Sequence, residues 1–274
     1  MRILDELDRE AARVKTPCGD GAMVWRIWND GEVPLVMLHG GNGSWRHWVR
    51  QIERHRATRC LVAPDLPGLG ESATPPEPHE PPHSARIVAE GLRRVLDGRR
   101  CDIVAFSFGA ILSGSVAAEV GEAVRTLTVV GAGSLGVPRN PVPLEKIRDK
   151  QGEARIAAHR FNLKSLMIAD PAAIDDLAVA IQEWNTVHAR FRSRGFANAT
   201  MLKDALARTR VPVTAIWGER DQIAVGHIEQ RAAAVREVRP DARVEIVPRA
   251  GHWTMYEAPE AIDEALGRAL AAAG

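Results

Sequence analysis

The stretch Cys101–Glu119, CDIVAFSFGAILSGSVAAE, decides how the chain is read. A short apolar run ends at Phe106, Ser107 and Gly109 follow, and the pattern then turns helical with small residues at Ala110, Gly114, Ala117 and Ala118. A serine between a buried strand and a helix has an ordinary reading as an N-cap. It also has a chemical one. Ala105–Gly109 read A-F-S-F-G, the G-x-S-x-G nucleophile elbow with alanine in its first place. A tight strand-to-helix turn strains the serine backbone and crowds its flanks, so the flanking positions must be small.

Other runs have the form of the first. PLVMLHGG (Pro34–Gly41), CLVAPDLPG (Cys60–Gly68), VRTLTVVGAG, VPVTAIWGERD and ARVEIVPRAGH are apolar until Gly, Pro or Asp stops them, while AMVWRIW (Ala22–Trp28) alternates. Continuous runs of this length suit parallel strands buried on both faces. Helical patterns lie between them: WRHWVRQIERH after Ser44, SARIVAEGLRRVLDG with Ser84 as N-cap, IEQRAAAVREV, and APEAIDEALGRALAAA. Strand alternating with helix predicts a mostly parallel central sheet flanked by helices, an α/β architecture. From Ser134 to about Thr209 the alternation stops. LEKIRDK, EARIAAHRFN, PAAIDDLAVAIQEWNTVHARFRSR and NATMLKDALAR all read as helix. The expectation is a helical cap (lid) over residues 134–209, inserted into a core formed by 1–133 and 210–274 and set over the strand ends where α/β sheets bind ligands.

Composition narrows the function. The chain has 274 residues, with 36 Lys+Arg against 35 Asp+Glu for a net charge of +1. That balance calls for neither nucleic acid nor an anionic membrane as partner. The three cysteines, Cys18, Cys60 and Cys101, are scattered and read as buried free thiols. The charged N-terminal stretch lacks the apolar core of a signal peptide and no run is long enough to span a bilayer, so a cytoplasmic protein is expected. TPPEPHEPPH (Thr74–His83), with five prolines, reads as a stiff extended surface loop. A homodimer is left open.

Acyl transfer by Ser107 needs further groups. A serine hydroxyl requires an adjacent base, and of the nine histidines His252 stands in a turn just after a predicted strand. His39 precedes the glycines of its loop and reads as a brace, and the remaining histidines read as packing or solvated residues. The base needs an acid to hold its tautomer. AIWGERDQIA offers Asp221, with Glu219 as rival. The order Ser107, Asp221, His252 is that of the α/β-hydrolase arrangement and not of the chymotrypsin or subtilisin ones. Backbone amides must meet the developing oxyanion. Phe108 N–H, next to the nucleophile, is one candidate; Gly41, or failing it Asn42, supplies the other. No metal or organic cofactor is required.

On these residues the sequence resembles the α/β-hydrolase fold family over nearly its whole length. Within that family it is similar to the meta-cleavage product hydrolases, which break C–C bonds in ring-opened aromatic metabolites. LVAPDLPGLGES and AGHWTMYEAPE carry the likeness to the fold family, and the HGG at His39, the GHW at His252-Trp253 and the Asp170-Pro171 pair that to the narrower group. The resemblance implies that Trp253 lines the site and that Arg190 or Arg192 of HARFRSR meets a substrate carboxylate. It departs at Phe106, where that group carries asparagine, and at Asn42-Gly43-Ser44. Phe106 and Phe108 beside the nucleophile, with Trp45 close to the oxyanion loop, suggest an apolar pocket for an apolar or aromatic carbonyl substrate, so hydrolysis of a small or medium carboxylic ester is an equal expectation. A cofactor-free perhydrolase would use the same triad, and a non-catalytic ligand-binding protein on this fold would be expected to have lost a member of it.

Overall fold

The computed structural model describes residues 2–191 and 199–272. Eight strands form one sheet in the order β1-β2-β4-β3-β5-β6-β7-β8. They are β1 (Ala12–Cys18), β2 (Gly21–Trp28), β3 (Leu35–Leu38), β4 (Leu61–Pro64), β5 (Cys101–Phe106), β6 (Val124–Val130), β7 (Val213–Gly218) and β8 (Arg243–Val247). The β1–β2 and β2–β4 pairs are antiparallel and the other five are parallel.

The apolar runs divide their side chains between two layers, because alternate residues of a strand face opposite ways. Val36 and Leu38 of β3, with Ile103 and Ala105 of β5, enter one core; Leu35, Met37, Val104 and Phe106 enter the other. The first core is closed by α3 (Pro81–Leu96), α4 (Phe108–Val120) and α8 (Ile228–Val238). The second is closed by α1 (Arg2–Glu10), α2 (Val49–His55) and α10 (Pro259–Ala271), with the short α9 (Thr254–Glu257) beside them.

Between β6 and β7 lie α5 (Gly152–Asn162), a π-helical turn (Leu163–Met167), α6 (Asp176–Val187) and α7 (Met201–Arg208), with no strand among the described residues. Leu163, Met167 and Ile181 join the second core. Leu202 and Leu206 of α7 join the first, and α7 packs on α4. The Asp170 carboxylate caps the turn that begins at Pro171 by accepting from Ala172 N at 2.9 Å, which gives the Asp-Pro pair a local structural task.

Four expectations are corrected. α1 and β1 are present where only a charged N-terminal stretch was read; β1 is an edge strand whose Arg13 and Lys15 lie outside the core. LEKIRDK is irregular rather than helical. α3 begins three residues before Ser84, with Pro81 in its first turn, a position where proline's missing N–H costs nothing. α6 ends at Val187 with His188 as its C-cap; the His188 ring stacks on Trp184 with centroids 3.8 Å apart and its Nδ1 pairs with Trp184 O at 2.8 Å. Arg190 therefore lies outside a helix. No helix among the described residues is long and apolar enough to cross a membrane.

Candidate active site

Ser107 sits at the join of β5 and α4 with φ 50° and ψ −109°, a conformation costly for any residue with a Cβ. The turn is held on both sides: Ser107 N donates to Val130 O at 2.9 Å, and Gly109 N donates to His39 O at 3.1 Å. A Cβ on Gly109 would lie 2.5 Å from His39 O, so only glycine lets the helix start this close to β3. Gly40 is constrained in the same way, since its Cβ would lie 2.8 Å from the Phe106 ring and 3.3 Å from Ser107 Cβ.

The loops after β7 and β8 bring the other two groups to Ser107. His252 Nε2 is 2.9 Å from Ser107 Oγ, and His252 Nδ1 is 2.7 Å from Asp221 Oδ2. A carboxylate only accepts, so Nδ1 carries the ring proton and Nε2 is left to accept from the serine hydroxyl. Asp221 is fully buried, and its Oδ1 accepts from Ile223 N at 3.1 Å. Its backbone carbonyl accepts from Ala224 N and Val225 N, which closes the loop tightly. The rival Glu219 is exposed and accepts from Arg249 N instead. Glu257 fixes the histidine loop: its carboxylate accepts from Gly251 N (2.8 Å), Ala169 N (3.0 Å) and Asp170 N (2.7 Å), which joins that loop to the segment after the π-helical turn.

Phe108 is the first residue of α4, so its N–H has no intrahelical acceptor. Among the described residues neither this N–H nor that of Gly41 has a protein acceptor. Gly40 N is engaged by His47 Nδ1 at 3.3 Å. Asn42 follows with φ 45° on the exposed side of the turn. His39 braces this loop as read: its Nε2 accepts from Leu66 N at 2.9 Å, so Nδ1 holds the proton and donates to Gly40 O at 2.7 Å. Burial lowers His39 below the usual imidazole range, against the opposing pull of Asp65.

His47 was read as an ordinary packing or solvated residue, and it is part of this region. Its ring meets Phe106 and Trp253 edge-on at 5.5 and 5.2 Å. Burial, with His39 and His252 nearby, holds it well below the usual imidazole range, and therefore neutral.

A cavity of about 60 Å³ opens beside Ser107 and Phe108, walled by Ile223, Arg139 and Arg231. Phe108 lines it as expected, and the other residues expected to line a pocket are elsewhere. Phe106 lies beneath the His252 ring, centroids 4.9 Å apart, at 1 % exposure. Trp253 is buried, donates from Nε1 to His47 O at 2.9 Å and stacks on Tyr256 at 4.2 Å. Trp45 is buried between the guanidinium groups of Arg26 and Arg46, and burial pushes Arg46 down to about 10. Arg190 donates to Gly70 O and Ser72 O in a separate open cleft. Arg192 lies outside the described residues. Among the described residues no three His, Cys, Asp or Glu side chains converge as metal ligands.

Sequence reasoning passed over Arg139 and Arg231. Arg231 was within reach of it: with Ile228, Ala232 and Val235 it falls on the inner face of α8, where a charge needs a reason.

The chain belongs to the Alpha/beta hydrolase family, whose model matches residues 35–265. It is 27% identical over 265 residues to the dihydrolipoyllysine-residue acetyltransferase component of an acetoin cleaving system from Pseudomonas putida, covering 91% of this chain and 67% of that protein. It is 25% identical over 256 residues to a 2-hydroxy-6-oxo-6-phenylhexa-2,4-dienoate hydrolase from Burkholderia cepacia, covering 84% of each. An esterase from Rhodococcus sp. ECU1013 shares the fold, with TM-score 0.76 at 18% identity over 97% of this chain and 100% of that one.

Proposed function

We propose that Ser107, His252 and Asp221 form a catalytic triad that hydrolyses a small or medium carboxylic ester. The observation that carries this reading is the unbroken run of 2.9 and 2.7 Å contacts from a strained serine through His252 to a buried carboxylate. Ser107 Oγ attacks the carbonyl carbon as His252 Nε2 takes its proton. The Phe108 and Gly41 amides receive the oxyanion. His252 returns the proton to the leaving oxygen, and the acyl–Ser107 ester is then cut by a water that His252 deprotonates. Asp221 holds His252 in the tautomer that this needs. We assign α5, the π-helical turn and α6 to a cap over the site, with α7 grouped with the core on which it packs.

A second reading is hydrolysis of a C–C bond beside a ketone, which the similarity to dienoate hydrolases favours. We put ester cleavage first because Phe106 stands before the nucleophile, where the resemblance to that group implies asparagine. Turnover of a chain-length series of aryl esters and of a set of 2-hydroxy-6-oxo-dienoates, each against Ser107→Ala, tests both. Fast Ser107-dependent ester cleavage with inert dienoates supports the esterase. The opposite pattern supports the C–C hydrolase, and inactivity of the folded protein on both sets overturns the hydrolytic reading of the site.

A further inference from the structure

Two arginines face the cavity beside Ser107, and no carboxylate stands among its lining residues. Arg231 is 1 % exposed. It reaches the cavity across the sheet end, donating to Ala132 O and Pro138 O at 2.9 Å each and to Ile223 O at 3.3 Å. Its Nε is buried and has no partner among the described residues. A buried guanidinium N–H without an acceptor is costly to leave unpaired. Burial lowers Arg231 from the usual guanidinium range; Asp221 opposes this, and the nearby charge of Arg139 adds to it.

Arg139 lies in the loop after β6. Asn140 next to it ties that loop to the loop after β7: its backbone N donates to Ile223 O at 3.1 Å, and its Nδ2 to Gln222 O and Val225 O. The tie holds Arg139 over the same side of the site that carries Asp221. Among the described residues Arg139 makes no ion pair and donates no side-chain hydrogen bond. Two like charges are thus gathered at a reactive serine, close enough for one to disfavour the other, and an anion between them would relieve both. The N-terminus of α4, at Phe108, adds positive potential to the same cavity.

We infer that the cavity is an anion subsite: Arg139 and Arg231 receive a carboxylate at the end of a short acyl arm whose carbonyl is attacked by Ser107. A cavity of about 60 Å³ suits a short arm of this kind. The planar guanidinium fork matches a carboxylate. The preferred substrate is therefore the ester of a short dicarboxylic acid, cut by water to the diacid and the alcohol, with the bound carboxylate unchanged. This assignment rests on Ser107 as nucleophile.

The test compares an aryl hemisuccinate with the matched aryl butyrate. Wild type is expected to favour the hemisuccinate in kcat/KM by at least roughly tenfold, the scale of one charge-assisted hydrogen bond. Arg139→Gln is expected to lower that preference roughly tenfold, and Arg139→Lys, which keeps the charge, to retain part of it. Arg139 makes no protein hydrogen bond among the described residues, so it carries the test better than Arg231, which tethers three carbonyls. No preference in the wild type overturns the subsite, as does an Arg139→Gln variant that slows both esters equally. Failure of the wild type to cleave either ester or to react with a neutral aryl phosphonate overturns the Ser107 reading instead.

Discussion

His252 Nδ1 and Asp221 Oδ2 lie 2.7 Å apart, with the carboxylate fully buried and the ring 3 % exposed. Water does not compete for this bond, so the tautomer of His252 is set by the protein. Asp221→Asn keeps the shape and removes the acceptor that fixes the Nδ1 proton. A fall in kcat on an aryl ester of roughly 10³–10⁴-fold is expected, with little change in KM. Glu219→Gln, at the rival carboxylate, is expected to leave kcat within about twofold. Steady-state kinetics of the two variants separates the assignments.

Ser107 holds a backbone conformation that favours glycine. Ser107→Ala and Ser107→Gly both remove the hydroxyl and both should be inactive. Only the second releases the strain, offset in part by glycine's greater freedom when unfolded. Ser107→Gly is expected to be more stable than Ser107→Ala by about 1 kcal/mol in denaturant unfolding. Equal stability would remove the strain from the account.

Glu257 accepts three backbone N–H groups from two segments. Glu257→Ala leaves them without that acceptor in a partly exposed setting, and a loss of about 2 kcal/mol is expected. Because Gly251 precedes His252, kcat should fall as well, and Glu257→Gln should recover part of both.

His39 and His47 are held neutral by burial, with folded pKa values below the unfolded one near 6.5. The unfolded chain therefore binds more protons as pH falls below that value. Stability from each is complete above the unfolded pKa and is lost as pH drops toward the folded one. Both should lower stability between pH 6.5 and 5.5, His47 more than His39. Denaturant unfolding at these two pH values should show this fall, and His47→Gln should flatten it.

The parallel strands and the elbow were legible because burial on both faces makes an apolar run and a tight turn demands small flanks, both local properties. The edge strand β1 was not legible, since its outward Arg13 and Lys15 break the apolar pattern and its pairing to β2 depends on contact across the turn. Ser107, Asp221 and His252 could be placed because each follows a strand. Arg139 could not, because it owes its position to Asn140 bridging to residues more than eighty positions away. Trp253, Trp45 and Phe106 carry apolar surface that suits a pocket wall or a core equally well in sequence, and in the structure they pack among core side chains.

The most direct test of the central claim is peptide mapping by mass spectrometry after reaction with a neutral aryl phosphonate. The account predicts one adduct, on Ser107, formed much more slowly in His252→Gln and Asp221→Asn. An adduct on another residue, or a rate at Ser107 unchanged by loss of His252, would contradict it.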